Sequence, residues 1–482
     1  MWLHFGKNPM NSTLGSSPII PSNDSPLQTN PGHWLTKKNL KKIVSWTFLF
    51  LVIIWLLAPW LDRPTVQANN IIITYNNEWV LKGQGLASYP MWGYSWLMRI
   101  LGSINMVIVL QSVVGALATA SLLVRLRSVA GLSSKPLLVL FVLAMPWFSF
   151  MAYPYQMPFS SAFMILAFLV FELGVITGKN SILIVSVCLF AVGQNFRSEL
   201  ILLPWFLLIL FYLLQKFKFI NLPSLIVKKL LLVCIGTAVL QLPWAFHCLK
   251  NSGRFSLSES NLGHVVYVGL GNSPSNPWKI RPLDSFCQET VSNAGLNCSS
   301  LSFQGSDFLL RRSIASIKEH PLGYIKELSR RTIRTIVYPF TFIRCLTTPN
   351  EAMALNNIFG SVKRWIPLLT REEPNSSLIY GEVSRIKIIF ITSYIIVQLS
   401  LNFGVAFFGL VGIYLAIRGG AFRNFDLIMI MLLGVIVYRL CLNIVLCDNG
   451  NYMTGVYLCY LPFAANALGF LIEKGSSLIG RR

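Results

Sequence analysis

The sequence predicts an all-α polytopic membrane protein of about ten transmembrane helices, with one extracytoplasmic mixed domain between spans seven and eight. Three observations carry that prediction. Of 482 residues, 54% are hydrophobic and only 12% are charged, with a mean hydropathy of +0.59, which excludes an ordinary soluble domain. Apolar runs of about 18 residues or more recur along the chain, each long enough to cross roughly 30 Å of hydrocarbon as a helix. Lys and Arg collect at alternate ends of those runs.

The first 36 residues are polar and rich in Ser, Pro and Asn, and read as a disordered cytoplasmic tail rather than a cleavable signal. Lys37, Lys38, Lys41 and Lys42 then precede the first run and place the N-terminus in the cytoplasm. An N-terminal transmembrane region covers 37–248, with spans at about 43–61, 104–126, 136–153, 158–177, 181–195, 198–214 and 227–248. A C-terminal transmembrane region covers 389–482, with spans at about 389–417, 426–446 and 453–473. Threaded from a cytoplasmic N-terminus, the loops with Arg125, Arg127 and Lys135, with Lys179, with Lys216, Lys218, Lys228 and Lys229, and with Arg418 and Arg423 all fall inside. The tail with Lys474, Arg481 and Arg482 falls inside too, so both termini are expected to be cytoplasmic in a multi-pass protein of the inner (plasma) membrane. The short loops at 153–158 and 448–452 fall outside and hold no Lys or Arg. The one exception is the tight turn at 195–198, which puts Arg197 at the outer face.

Residues 249–388 form the only large polar segment, an extracytoplasmic domain long enough to bury a modest core. Cys287 and Cys298 lie in it; an outer-face disulfide and two free thiols are both open. In its second half, Ile314, Ile317, Ile325, Leu328 and Ile336 recur at helical spacing among Arg311, Arg312, Lys318, Lys326, Arg330, Arg331 and Arg334. His320–Pro321 should break this stretch into two helices. Basic amphipathic helices usually rest on a membrane surface; the sharper alternative is that they help hold a lipid-linked phosphate.

The net charge of +22 has no basic, aromatic-interleaved soluble module to direct it at nucleic acid, so membrane lipid or a phosphate-bearing substrate is the expected partner. Most of the nine cysteines lie within spans, and no CxxC or Cys/His cluster has metal spacing. No Walker motif, no GxGxxG after a strand and no nucleophile elbow occurs.

The stretch 71–97, between the first two spans, is the first outer loop's most ordered part by composition; the loop as a whole is 62–103. It holds one acid, Glu78, and six aromatics, Tyr75, Trp79, Tyr89, Trp92, Tyr94 and Trp96. From composition alone this is an interfacial helix with its rings at headgroup depth. Charged residues within or beside spans need separate accounts, since an unpaired charge in hydrocarbon costs several kcal/mol. Arg197 and Glu199 read either as a structural ion pair or as part of a site. Glu172 reaches the cytoplasmic interface, and Arg439 snorkels or pairs within the bundle.

The order of several motifs adds a resemblance. Span one, an outer loop with an acid and an aromatic, and then YPMWGYSWL at 89–97 resemble the opening of the C-type lipid-linked-sugar glycosyltransferases, such as the protein O-mannosyltransferases and the lipid A aminoarabinose transferases. NFRSELILLP at 195–204 is similar to the family's Arg-x-Glu before an apolar run ending in Pro. The passage 243–272, EHPLGY at 319–324 and NYMTGVYLCYLP at 451–462 resemble its entry into the outer domain, its His-Pro helix start and its last-span signature. The resemblance implies transfer of a sugar from a polyprenyl-phosphate donor to a lipid, glycan or protein acceptor at the outer face. Glu78 would be the catalytic base, with Arg197, Lys82, Arg311 and Arg312 on the donor phosphate and Glu199, Asn76, Asn77 and Tyr452 in support. No cofactor is certain; a divalent metal occurs in the superfamily, but no pair of outer-face carboxylates is evident here to bind one. Two departures stand out. Asn76 and Asn77 lie where relatives carry an Asp, and Asn451 precedes Tyr452 where relatives carry an Arg. Either Glu78 serves as the acid from a shifted position, or the chain binds the lipid-linked sugar without transferring it. A flippase or transporter of lipid-linked glycans is the alternative from another class, though polarity concentrated at the outer face rather than midplane favours the enzyme.

Overall fold

A computed structural model describes residues 35–57, 93–128, 134–152, 156–219, 223–271, 276–337, 385–418, 427–446, 453 and 455–479. Among them the regular structure is helical and contains no strand. The chain is an α-helical multi-pass membrane protein, with eight helices among the described residues long and apolar enough to cross a bilayer. Helices also stand at the other two expected spans: Asn180–Phe196, with 17 residues, and Tyr457–Ile479.

In chain order the membrane helices are α1 (Lys37–Leu57), the short α2 (Gly93–Leu101), α3 (Ile104–Leu126), α4 (Ser134–Val142), α5 (Met145–Ala152), α6 (Gln156–Thr177), α7 (Asn180–Phe196), α8 (Leu203–Lys216), α9 (Ser224–Leu240) and α10 (Leu242–Ser252). The segment after them contributes α11 (Leu262–Gly271), α12 (Asp284–Asn293), α13 (Phe303–Glu319) and α14 (Pro321–Val337). The last membrane helices are α15 (Arg385–Arg418), α16 (Leu427–Val445) and α17 (Tyr457–Ile479). Two expected single spans are each two helices, α4–α5 and α9–α10. Pro146 and Pro243 stand just past each break, and a proline has no N–H for the carbonyl four residues back and crowds that carbonyl. The expected break at His320–Pro321 is present, with α13 ending at Glu319 and α14 starting at Pro321. The described residues of the outer segment hold helices only, where a mixed domain was expected.

One apolar core runs through α1, α3–α9 and α15–α17, with Trp147, Phe148, Phe168, Met431 and Tyr460 among its buried side chains. Close approach of α15 to α17 requires Gly412, where a Cβ would stand 1.9 Å from the Phe463 carbonyl oxygen. A second core joins α11–α14 around Tyr267, Leu270, Ile280, Cys287, Val291 and Leu309. There Gly263 lets α11 lie on α13, since a Cβ would meet the Ser306 carbonyl oxygen at 1.8 Å.

At the bundle end assigned to the cytoplasm by the Lys/Arg pattern, Arg125 and Glu172 form a buried two-point ion pair, Nε–Oε2 2.7 Å and Nη2–Oε1 2.9 Å. Glu172 is therefore paired inside the bundle instead of reaching the interface. Lys229, also buried, donates to the carbonyl oxygens of Gly174 (3.0 Å) and Val175 (3.3 Å), in the last turn of α6. A cation there satisfies carbonyls that the helix leaves open and meets the negative end of its dipole.

The second core has its own local determinant. Ser302 caps α13 by accepting a hydrogen bond from the Gly305 amide at 3.1 Å. Ser302→Ala is expected to cost about 1 kcal/mol, read as a lower melting temperature that Ser302→Asp restores. Cys287 and Cys298 are free thiols in this structure. Burial first, and then the nearby Asp284, push the Cys287 thiol up to about 12.

Candidate anion-binding site

The site starts from a proline. Pro204 lies in the first turn of α8, so the helix cannot extend backward with its normal bonding, and the chain between α7 and α8 makes a single 3-10 turn at Ser198–Leu200. Arg197 leaves α7 in extended conformation, φ −149° and ψ 113°. This brings its guanidinium back onto Glu199, with Nε 3.0 Å from both carboxylate oxygens. A third charge joins from α16: Nη1 of Arg439 donates to Glu199 Oε1 at 3.1 Å. Two guanidiniums thus share one carboxylate. Arg439 is 2% exposed, and its Nε is buried with no hydrogen-bond partner among the described residues.

Neighbouring groups hold this arrangement in place. Tyr438, one residue before Arg439, donates its hydroxyl to the Glu199 carbonyl oxygen, and its ring lies 5.3 Å from that of Phe206. On the other side, Gln194 Nε2 donates to the Leu200 carbonyl oxygen at 3.4 Å. Gln241, at the α9–α10 break, donates to Gln194 Oε1 at 3.2 Å. The turn is therefore held from α7, α9 and α16 at once.

The end of the first outer loop reaches the same place. Gly93 begins α2, and a Cβ there would stand 2.6 Å from the Asn195 carbonyl oxygen. Tyr94 is buried against Phe159 and Phe196, with ring centroids 6.5 Å apart in each pair. Phe196 immediately precedes Arg197, so the start of α2 lies against the backbone beside the guanidinium.

Of the residues singled out in the sequence, Arg197 and Glu199 come together. Arg311 and Arg312 do not join them: both are exposed on α13, and Arg311 Nε turns back to the Asp307 carbonyl oxygen at 3.4 Å. Glu78, Lys82, Asn76, Asn77 and Tyr452 lie outside the described residues. Arg439 was noted only as a charge within a span; its partnership with Glu199, 240 residues earlier, has no local sequence signal beyond that isolated charge in an apolar run. No group of three or more His, Cys, Asp or Glu side chains suited to a metal occurs among the described residues. The carboxylate at the site is already shared by two cations, which makes it a poor ligand for a third.

A second charged cluster fastens α14 to α11 and to the membrane helix α16. Arg331, buried in α14, bonds Glu327 (Nε–Oε1 2.9 Å), the Gly269 carbonyl oxygen of α11 (2.6 Å) and the Ile444 carbonyl oxygen of α16 (3.4 Å). Asn443 of α16 donates to Thr335 at 3.0 Å. Burial opposes ionisation of Glu327, but hydrogen bonds and charge from Arg330 and Arg331 outweigh it and hold the carboxyl below its ordinary range. A depressed carboxyl contributes stability that is fully present above the unfolded value, about 4.3, and is lost as pH falls through the folded one. Melting curves between neutral pH and pH 3 should therefore show a loss of stability that Glu327→Gln, already weakened at neutral pH, largely lacks.

Comparison with protein-family models, with curated proteins and with solved structures found no match to this chain.

Proposed function

We propose that this chain is a membrane glycosyltransferase, transferring a sugar from a polyprenyl-phosphate donor to a lipid, glycan or protein acceptor at the outer face of the inner membrane, with both termini in the cytoplasm. The observation that carries this reading is the pair of guanidiniums on one carboxylate at the end of α7, α8 and α16, with a buried Arg439 Nε left to donate. A polyprenyl-phosphate sugar keeps its tail in the bilayer and its phosphate at that depth, so the protein needs cations at a span end and no nucleotide site. In the reaction, the acceptor hydroxyl oxygen bonds to the anomeric carbon and gives its proton to Glu78. The bond from that carbon to the phosphate oxygen breaks, and polyprenyl phosphate leaves as an anion that Arg197 and Arg439 stabilise.

The test is incubation of the full-length protein in lipid nanodiscs with labelled polyprenyl-phosphate sugars, following both retention and transfer. Transfer is expected in the wild type. Glu78→Gln keeps size and hydrogen bonding but removes the base, and should lower turnover about 10²-fold or more with donor retention unchanged. Retention without transfer by the wild type would favour a non-catalytic binder, the reading that Asn76 and Asn77 support. Neither retention nor transfer across the donor set would overturn the proposal.

A further inference from the structure

Helix α14 is amphipathic in the wrong sense for a water-facing domain. Its buried face is polar: Glu327 and the residues four and eight further on, Arg331 and Thr335, are 2%, 1% and 1% exposed. Its outward face is apolar, with Leu322 79%, Ile325 58%, Ile333 64% and Ile336 40% exposed. At roughly 100° per residue these four fall on one stripe directly opposite the polar one. Lys326 lies on one flank of the stripe and is exposed, while Arg330 on the same flank is bonded to Glu327 (Nε–Oε2 2.9 Å, Nη2–Oε1 2.6 Å).

Position supplies the occupant. The polar face is bonded to Ile444 and Asn443, in the last turn of α16, a helix long enough to span a bilayer. So α14 packs against the end of a membrane helix, with its apolar stripe exposed on the side opposite those bonds. Val445, at the end of α16, is itself 52% exposed, so that end of the membrane helix also presents apolar surface. The exposed Lys326 beside such a stripe suits an anionic headgroup.

We propose that α14 is a membrane-seated helix: the Leu322, Ile325, Ile333 and Ile336 stripe enters the leaflet at that end of α16, and Lys326 meets anionic lipid phosphates. The inverted pattern then has a physical reason, since the exposed aliphatic surface is covered by acyl chains and the charges are paired inside the protein. This does not depend on glycosyl transfer.

The experiment places a benzophenone side chain singly at 325, 333 or, for comparison, at the exposed position 311 of the full-length protein. Each variant is irradiated in its own membrane, and adducts are identified by mass spectrometry. Lipid adducts at 325 and 333, well above those at 311, are expected. Crosslinks from 325 and 333 to another part of this chain, to a second copy or to another protein, in place of lipid, would overturn the proposal, as would lipid adducts no more abundant than at 311. The unaltered protein gives an independent reading. In nanodiscs of phosphatidylcholine and phosphatidylglycerol carrying acyl-chain diazirines, peptides of 321–337 should be labelled, whereas those of 284–293 should not. Absence of label from 321–337 would sink the idea even if a benzophenone variant failed to fold.

Discussion

Glu199→Gln is expected to lower stability by roughly 3–5 kcal/mol, the cost of leaving buried charge without its counter-ion. The carboxylate is the group that Arg197 and Arg439 share, and both arginines are buried, at 8% and 2% exposure. Glutamine keeps the shape and one acceptor oxygen, so the loss isolates charge rather than packing. The Tyr438 hydroxyl still finds the backbone carbonyl of residue 199, and the turn keeps that anchor. Unfolding of a multi-pass protein is commonly irreversible, so the readout is the inactivation half-life and the apparent melting temperature in a fixed detergent. Adding Arg439→Met to Glu199→Gln should recover part of the loss, because it removes the more deeply buried of the two cations left without a counter-ion. If Glu199→Gln alone melted like the wild type, the three charges would not be acting as one unit.

The sequence made the bundle legible because its signals are local. Long apolar runs name spans, and Lys and Arg mark their ends; Arg125 pairs with Glu172, and Lys229 bonds the last turn of the helix that carries Glu172. Pro321 marks a helix break because a proline acts on its own backbone. The site was half legible. Arg197 and Glu199 are two residues apart, and their pairing follows from the turn that Pro204 imposes. Arg439 comes from 240 residues away, and sequence spacing holds no record of which span packs against which. The same limit explains α14: its period was plain, but which stripe would be buried depended on Gly269, Asn443 and Ile444 offering hydrogen bonds to the polar one. Arg311 and Arg312 had the right charge for a phosphate, yet they lie on the exposed side of α13, whose other face is occupied by Leu309 and Ser313.

Arg197→Ala is expected to weaken donor binding and turnover together, by roughly 2–4 kcal/mol in transition-state stabilisation, because it removes a partly desolvated cation from the leaving phosphate. Arg197→Lys should recover only part of this. A lysine restores the charge but not the planar guanidinium whose Nε bonds both oxygens of Glu199. Arg439 should divide its effect differently. Its Nη1 bonds Glu199 and its Nε is the buried donor without a partner, so Arg439→Lys keeps a cation near the carboxylate but removes that directed donor. Polyprenyl-phosphate binding, measured with the lipid phosphate alone so that no chemistry intervenes, should then fall by about 1–3 kcal/mol while the melting temperature falls less than in Glu199→Gln. The two readouts separate a phosphate site from a structural ion cluster. A purely structural role would move melting temperature and binding in proportion across Arg197→Lys, Arg439→Lys and Glu199→Gln. A phosphate site instead makes the lysine variants poor binders while they remain folded. Lysine variants that bound polyprenyl phosphate like the wild type would return the three residues to the role of a rivet between α7, α8 and α16.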